Sequence, residues 1–426
     1  MKRLEARTAY LVRAGIGSFC SGLIFISLAA YYVRTIGMNP LQLVLVGTAL
    51  EATVFLFEVP TGIVADLYSR RLSVLIGGIL TGICYVLTGL APFFGVIILA
   101  EIIRGIGSTF GSGAESAWIT DEVGAGQVRN LFMRRAQVGQ VCNLLGIWCS
   151  VALASLYSYQ VPIVLGGGGL ILLHLYLVFT MPETNFTPTP RQERNTFRQM
   201  AATLSEGVHV VRTSSILALL MSTELIAGAA SEGFDRLVEA HYLQNLNMPV
   251  LTVPVLGELD LIAWFAIWNI AAVALGLTVI EVARRRLKTD HPVQTAKTLM
   301  ALDAIIVVST IGFGLTRSFG VAFVAELLRH ICRQLGGPIR NAWLNQNIPA
   351  SIRATVISLN GQANAFGQMA GGPGVGWVGN RFGLRAALTL AGFLLAPTIA
   401  LYERTIRQQN LRSSQPAIVG YDSIDE

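Results

Sequence analysis

Charge is what this sequence has least of. Asp, Glu, Lys and Arg make up only 13% of its 426 residues, against roughly 25% in ordinary soluble domains. A water-soluble fold could not hide the matching surplus of apolar side chains, 53% of the chain, whereas a bilayer accepts it. Cysteine is sparse as well. Cys20, Cys84, Cys142, Cys149 and Cys332 all fall in apolar runs without a histidine at metal-ligand spacing. Neither a disulfide framework nor a metal site is implied, and they read as small packing residues. The glycine run 166–169 is followed by no lysine and Ser/Thr in phosphate-loop register, so it reads as close helix packing and argues against ATP drive within this chain. No nucleophile–base set converges anywhere, so neither an enzyme nor a cofactor is expected. The net charge of +6 could suit nucleic acid, but the basic residues are scattered through short loops, which excludes a binding patch and suggests a topological signal instead.

Long apolar runs are plentiful. A spanning helix needs about 20 mostly apolar residues, and the runs predict twelve spans: 9–36, 41–65, 72–91, 94–118, 131–157, 161–181, 214–243, 254–282, 293–315, 319–345, 353–378 and 383–402. The first run is too long for a signal-peptide core and reads as a retained span. One long polar break carries Pro182, Pro188 and Pro190 and then an amphipathic stretch, 197–211. The expected organisation is therefore a six-helix bundle over 1–181, a cytoplasmic connector with an amphipathic helix over 182–212, a second bundle over 213–403 and a cytoplasmic tail over 404–426. Lys2, Arg3, Arg7, Arg70, Arg71, Arg129, Arg134, Arg135, Arg191, Arg194, Arg198, Arg284, Arg285, Arg286, Lys288, Arg353, Arg404 and Arg407 all fall on the side of the N-terminus, while Arg34, Arg317, Arg381 and Arg385 fall opposite. That bias predicts cytoplasmic termini.

The two halves repeat each other. Shifting by 225 positions superimposes Gly89, Leu90, Phe94, Gly95, Val96, Ala100, Glu101, Arg104, Ile106, Gly111, Ala117 and Trp118 on identical residues, so that Glu326 and Arg329 are the copies of Glu101 and Arg104. Offsets of 210 and 214 align Ala30, Tyr32 and Met38, and then Gly62, Arg70 and Arg71, with their counterparts. A parallel duplication of six spans explains this, and carriers built from repeats hold their site near the midplane between the halves.

The loop after the second span reads Gly62-Ile-Val-Ala-Asp66-Leu-Tyr-Ser-Arg70-Arg71. It resembles the signature loop of the major facilitator superfamily. Phe57-Glu58-Val59-Pro60-Thr61, Ser112-Gly113-Ala114-Glu115-Ser116-Ala117 and Glu232-Gly-Phe-Asp235-Arg236-Leu resemble its macrolide and tetracycline efflux branch. The resemblance implies an all-α membrane protein with twelve transmembrane helices in two pseudo-symmetric six-helix bundles. It also implies that Asp66, Arg70, Arg71 and Asp121 form a conformational latch, and that Arg104 takes part in proton transfer. The plain physical reading of the loop is that Asp66 can accept from N–H groups at a neighbouring helix start; a merely topological loop is the alternative. Ile280 replaces the acid in the second copy. Antiporters of this family carry a glycine–proline signature in the fifth span. Here Gly139 and Gly146 stand there without proline, and the Gly367, Gly371, Gly372, Pro373, Gly376 series lies in the eleventh span, where it permits close approach and a bend.

Charges inside spans are costly, at least about 2.5–3.5 kcal/mol at mid-bilayer, and so point to a cavity or a partner. Glu101 with Arg104, and Glu326 with Arg329, stand at i,i+3 and can pair on one helix face, either for coupling or for structure. Glu224 falls about 15 Å into the seventh span, the depth for a proton or cationic-substrate site, with a packed, paired acid as the alternative. Glu232, Asp235, Arg236 and Glu239 follow on the same helix as a gate network, Arg236 being able to reach Glu232 or Glu239. Glu58 reads as a structural pair, and Glu115 with Arg340 as an ion pair across the two halves. Tyr31, Tyr32, Trp118 and Trp343 are candidate cavity walls or interfacial anchors. The expected protein is a monomeric proton-coupled exporter of amphipathic or cationic organic compounds in a bacterial inner membrane, its partners being a small organic substrate, protons and membrane lipids. A lipid or metabolite exporter and a non-transporting receptor or scaffold are the rivals.

Overall fold

The computed structural model describes residues 3–187, 205, 208–253, 257–286, 292–348 and 353–414. Most of the expected connector, most of its amphipathic stretch 197–211 and the last part of the tail lie outside the described residues. The helices of the first half are α1 (Ala6–Ala30), α2 (Pro40–Leu67), α3 (Arg70–Leu90), α4 (Phe94–Gly111), α5 (Ala114–Val123), α6 (Ala125–Leu156) and α7 (Gln160–Thr180). Those of the second half are α8 (Ser215–Asn245), α9 (Ala263–Arg286), α10 (Pro292–Leu315), α11 (Phe319–Gln346), α12 (Arg353–Phe382), α13 (Leu384–Leu395) and α14 (Pro397–Ser414). Pairs α4–α5 and α13–α14 each form one broken span, so the helices make twelve spans. Among the described residues, nine helical stretches are long and apolar enough to cross a membrane, and α9 contains a shorter apolar stretch, Ala263–Gly276. The helices α11 and α12 are long but more polar, because α11 carries Glu326, Arg329, Arg333 and Arg340 and α12 is rich in Gly, Asn and Gln.

Helix ends follow local chemistry. Asn39 and Gln42 form a reciprocal capping box before Pro40, satisfying N–H groups that a helix start leaves unpaired. The Ser69 hydroxyl accepts from Leu72 N–H at 2.9 Å. α1 closes in a π-helical turn, Tyr31–Thr35, and Gly37 follows at φ +72°, a left-handed conformation that costs glycine least. Gly113, at φ +71°, makes the break between α4 and α5 in the same way. The eighth span differs from the expected 254–282. Leu251–Val253 pairs with Gly257–Leu259 as an antiparallel hairpin, and the helix starts only at Ala263. The β-branched Thr252 and Val253 fit a short strand, and apolarity alone does not distinguish the two.

Glycines set the tightest packing. α1 lies on α6 and α8 on α12 in equivalent ways. Gly22 sits against the Asn143 carbonyl and Gly146 against the Phe19 carbonyl, while Gly228 sits against the Asn364 carbonyl and Gly367 against the Leu225 carbonyl, with no room for a Cβ at any of the four. This is the small-residue interface that helices in lipid use. In the expected glycine series, Gly371 packs on Ala229 of α8, and Gly372 and Gly376 meet Val44 of α2, so α12 holds its own half on one side and the opposite half on the other.

The apolar cores show where the halves join. Leu4 N–H donates to Thr180 O at 2.9 Å, which marks one end of the molecule as the terminus-bearing end. At the far end, one core combines Tyr31, Met38 and Val44 with Leu237, Tyr242, Met248 and Leu384, and another combines Ile147, Val151 and Ala154 with Ile262, Ala263 and Ala266. At the terminus-bearing end each half keeps its own core: Tyr10, Ala65, Trp118 and Leu177 in the first, Leu217, Leu299, Trp343 and Tyr402 in the second. Among the described residues, the halves share cores at the far end and keep separate cores at the other.

Candidate functional site

Beneath the sealed end lies a cavity of about 300 Å³ between the halves, lined from α1, α6, α8, α9 and α11. Ser21, Phe25 and Ile26 of α1 and Asn143 and Ile147 of α6 form one wall. The other is Glu239 and Tyr242 of α8, Trp264, Phe265, Trp268 and Asn269 of α9, and Phe319, Phe323 and Glu326 of α11. Tyr242, Phe265 and Phe319 meet edge to face, as do Trp264 and Phe319, a geometry that aromatic quadrupoles favour. A mostly apolar pocket with a few convergent polar groups is the general form of an organic-ligand site.

Around it, most intramembrane charges are paired. Glu101 accepts from Arg104 Nε at 2.8 Å, and the Arg104 guanidinium lies 5.9 Å from the Tyr85 ring centre. The repeat copy is the same: Glu326 accepts from Arg329 Nε at 2.8 Å, with Arg329 over Phe234 at 4.0 Å. Arg329 also reaches Asp235 at 3.1 Å, which Arg333 holds at 2.9 Å. Arg236 chooses Glu232, at 2.9 Å, and this pair from the second half rests on Gly47 of α2, where a Cβ would collide with both side chains. Glu239 makes no ion pair and no side-chain hydrogen bond to another described residue, although it stands on the cavity wall.

Several expected placements differ. Glu224 is not on this cavity; it lines a smaller one within the second half, of about 100 Å³. There it accepts from Asn364 at 3.0 Å and lies 3.4 Å from Arg340, which also binds the buried Asp303 at 3.2 Å. Glu115 and Arg340 do not meet across the halves. Glu115 takes Arg13 and, at 3.1 Å, Arg135, because the halves part at that end and each charge finds a nearer partner in its own bundle. Tyr31, Tyr32, Trp118 and Trp343 are buried in packed cores and line neither of these two cavities. Tyr31 donates to Thr88 O at 2.8 Å and Trp118 Nε1 to Pro182 O at 2.7 Å. Glu58 accepts from Ser112 at 2.9 Å. In the signature loop Arg70 pairs with Asp121, while Asp66 is exposed and has no polar partner among the described residues. Arg71 donates its backbone N–H to Glu183 at 2.9 Å, and Glu183 also accepts from Ser69 at 2.6 Å.

Two groups of residues escaped the sequence reading. The aromatic wall could have been found from spacing, since Trp264 with Trp268 and Phe319 with Phe323 stand at i,i+4 on their helices. The far-end polar tie could not. Tyr159 donates to Asp260 at 2.6 Å and accepts from Arg34 at 3.0 Å. Asp260 also takes the Ile262 N–H at 3.0 Å at the start of α9, and its own N–H donates to Ser155 at 3.1 Å. Burial first, and then the Asp260 carboxylate, push the Tyr159 phenol up to about 12, so it stays protonated and donates. The three residues come from connections far apart in the chain, and only folding brings them together.

Twelve spans in two repeated halves around an aromatic, carboxylate-bearing cavity define a polytopic carrier. The family model of the Major Facilitator Superfamily matches residues 13–332, and the chain belongs to that superfamily of membrane transporters. It is 25% identical over 365 residues to the uncharacterized MFS-type transporter YxaM of Bacillus subtilis (strain 168), covering 84% of this chain and 86% of that one. Among solved structures, the nucleoside transporter NupG superimposes with a TM-score of 0.72 at 13% identity, over 95% of this chain and 100% of that one. A POT family transporter in complex with 5-aminolevulinic acid gives 0.71 at 13% identity, over 96% of each chain. A bacterial homolog of the human lysosomal transporter Spinster, in an inward-facing and unoccupied conformation, gives 0.67 at 16% identity, over 97% and 98%.

Proposed function

We propose that the chain is a secondary carrier that exports amphipathic or cationic organic compounds by alternating access, driven by a proton gradient. Both termini are cytoplasmic in this reading, as the basic loops require, so the described state faces inward. The observation that carries the proposal is the cavity beneath the sealed end, which joins carboxylates to an aromatic wall. A carboxylate able to take either a proton or a cation makes the two compete, and competition at a site exposed alternately to each side couples their fluxes. Glu224 and the Glu101–Arg104 and Glu326–Arg329 pairs are the residues that could pass protons, because costly ionised groups are kept within the membrane. Asp66, Arg70, Arg71 and Asp121 form the latch of the opposite state; the Arg70–Asp121 pair lies within one half and is already made in this state, so Asp66 is the member that engages and releases. An exposed Asp66 without a partner is the arrangement of a latch that is open.

Proteoliposomes with an imposed pH gradient test this. Uptake of organic cations into inside-out vesicles should require the gradient and collapse in Glu224→Gln; gradient-independent flux, or none across a broad panel, overturns the reading. A second reading is movement of a polar metabolite. Asn143 and Asn269 on the cavity wall favour it, as do the nucleoside and 5-aminolevulinic acid cargoes named for the similar folds. The same vesicles loaded with nucleosides or amino acids separate the two.

A further inference from the structure

We propose that the cavity between the halves binds organic cations of a single positive charge, with Glu239 as the counter-ion and Tyr242 and Trp268 as hydrogen-bond donors to an oxygen on the ligand. This rests on the carrier reading and names its substrate class. Two carboxylates line the cavity, but they are not equivalent. Glu326 accepts from Arg329 twice, at 2.8 and 2.9 Å, so its charge is already balanced. Glu239 has no ion pair among the described residues, and one uncompensated negative charge remains. A second positive charge on a ligand would enter a low-dielectric site without a partner, which is costly.

The wall supplies the rest of the recognition. Trp264, Trp268, Phe319 and Phe323 line the cavity, and a cation held against aromatic rings is attracted by their quadrupoles, most strongly when desolvated. Tyr242 is 5% exposed, and its hydroxyl has no hydrogen-bond partner; the buried Trp268 Nε1 has none either. Buried donors without partners carry a desolvation cost that a ligand oxygen would relieve. The site therefore fits a flat or propeller-shaped aromatic monocation, best with an ether, ester or carbonyl oxygen.

Equilibrium binding of radiolabelled tetraphenylphosphonium to the purified full chain in detergent tests this, with rhodamine 6G and the dication dequalinium as competitors. Saturable binding is expected. Glu239→Gln should weaken it at least tenfold, Glu239→Asp less, and the exposed-site control Glu403→Gln not at all. Rhodamine 6G, which carries oxygens, should lose severalfold in Tyr242→Phe while tetraphenylphosphonium does not. Dequalinium should compete no better than its singly charged half. Unchanged affinity in both Glu239 variants, no saturable binding by the wild type, or a tenfold preference for the dication overturns the inference. Gradient-driven flux with binding indifferent to Glu239 would leave the carrier reading standing and end this one; Glu239-dependent binding without any flux would do the reverse.

Discussion

At the far end, side chains of both halves share apolar cores and the polar tie of Arg34, Tyr159 and Asp260; away from that end, the charged groups Arg13, Glu115, Arg135, Glu224, Asp303 and Arg340 pair, among the described residues, within their own half. The difference teaches how one chain can hold two stable bundles and still separate them. Interactions within a half survive any rocking motion and can be strong. In the proposed alternating-access cycle those between halves must break at each turn, so they must be numerous enough to close and weak enough to open.

Substitutions at the two ends should therefore behave differently. The largest loss of stability is expected for Arg340→Ala, which leaves the buried Asp303 and Glu224 without their cation. Removing one partner of a buried pair costs about 3–5 kcal/mol. The midpoint of thermal unfolding in detergent should fall, while labelling of a far-end reporter, Ala30→Cys with the native cysteines replaced, stays as it was. Replacement is needed because Cys149 is exposed. A rise in labelling would show that this pair also governs closure.

Asp260→Ala should do the opposite. It removes hydrogen bonds to a charged group, worth about 1.5–3 kcal/mol each, from a contact that joins the halves. Labelling at Ala30→Cys by a membrane-impermeant maleimide should rise at least tenfold with a smaller change in melting. Tyr159→Phe removes one hydroxyl whose bond to the Asp260 carboxylate is worth about 1.5 kcal/mol or more, and should raise labelling about tenfold, less than Asp260→Ala; no rise would take Tyr159 out of the tie. Smallest of all is Asp66→Asn. Because Asp66 is exposed and has no polar partner among the described residues, melting should shift by less than about 0.5 kcal/mol, whereas accessibility from the far side should fall if the open state loses its latch. Unchanged accessibility would remove Asp66 from the latch.

Much of the fold was legible in the chain because lipid imposes a simple rule. Backbone groups in hydrocarbon must pair within their own helix, so each apolar run became a span, and the Glu101–Arg104 pair and its copy at Glu326–Arg329 could be paired from i,i+3 spacing alone. The failures also have physical causes. Tyr31, Tyr32, Trp118 and Trp343 are large and partly polar, but their polar atoms bond or pack within cores, and composition does not say which face of a helix meets a cavity. Glu224 and Glu239 are both acids on α8, and the chain gives no ground for ranking them. Which one is paired depends on Arg340, carried by another helix.

The amino-acid sequence by itself determined that this protein lies in a membrane, that it has two repeated halves and that Glu101 with Arg104 and Glu326 with Arg329 stand at pairing distance, because those properties follow from local apolarity and spacing of a few residues. Only the tertiary structure decided which end is closed, which of the two cavity carboxylates has no ion pair among the described residues, and that aromatic side chains of α9 and α11 line the same cavity. These depend on contacts between segments a hundred or more residues apart, as Tyr159 and Asp260 are, and such contacts leave no local trace in the chain.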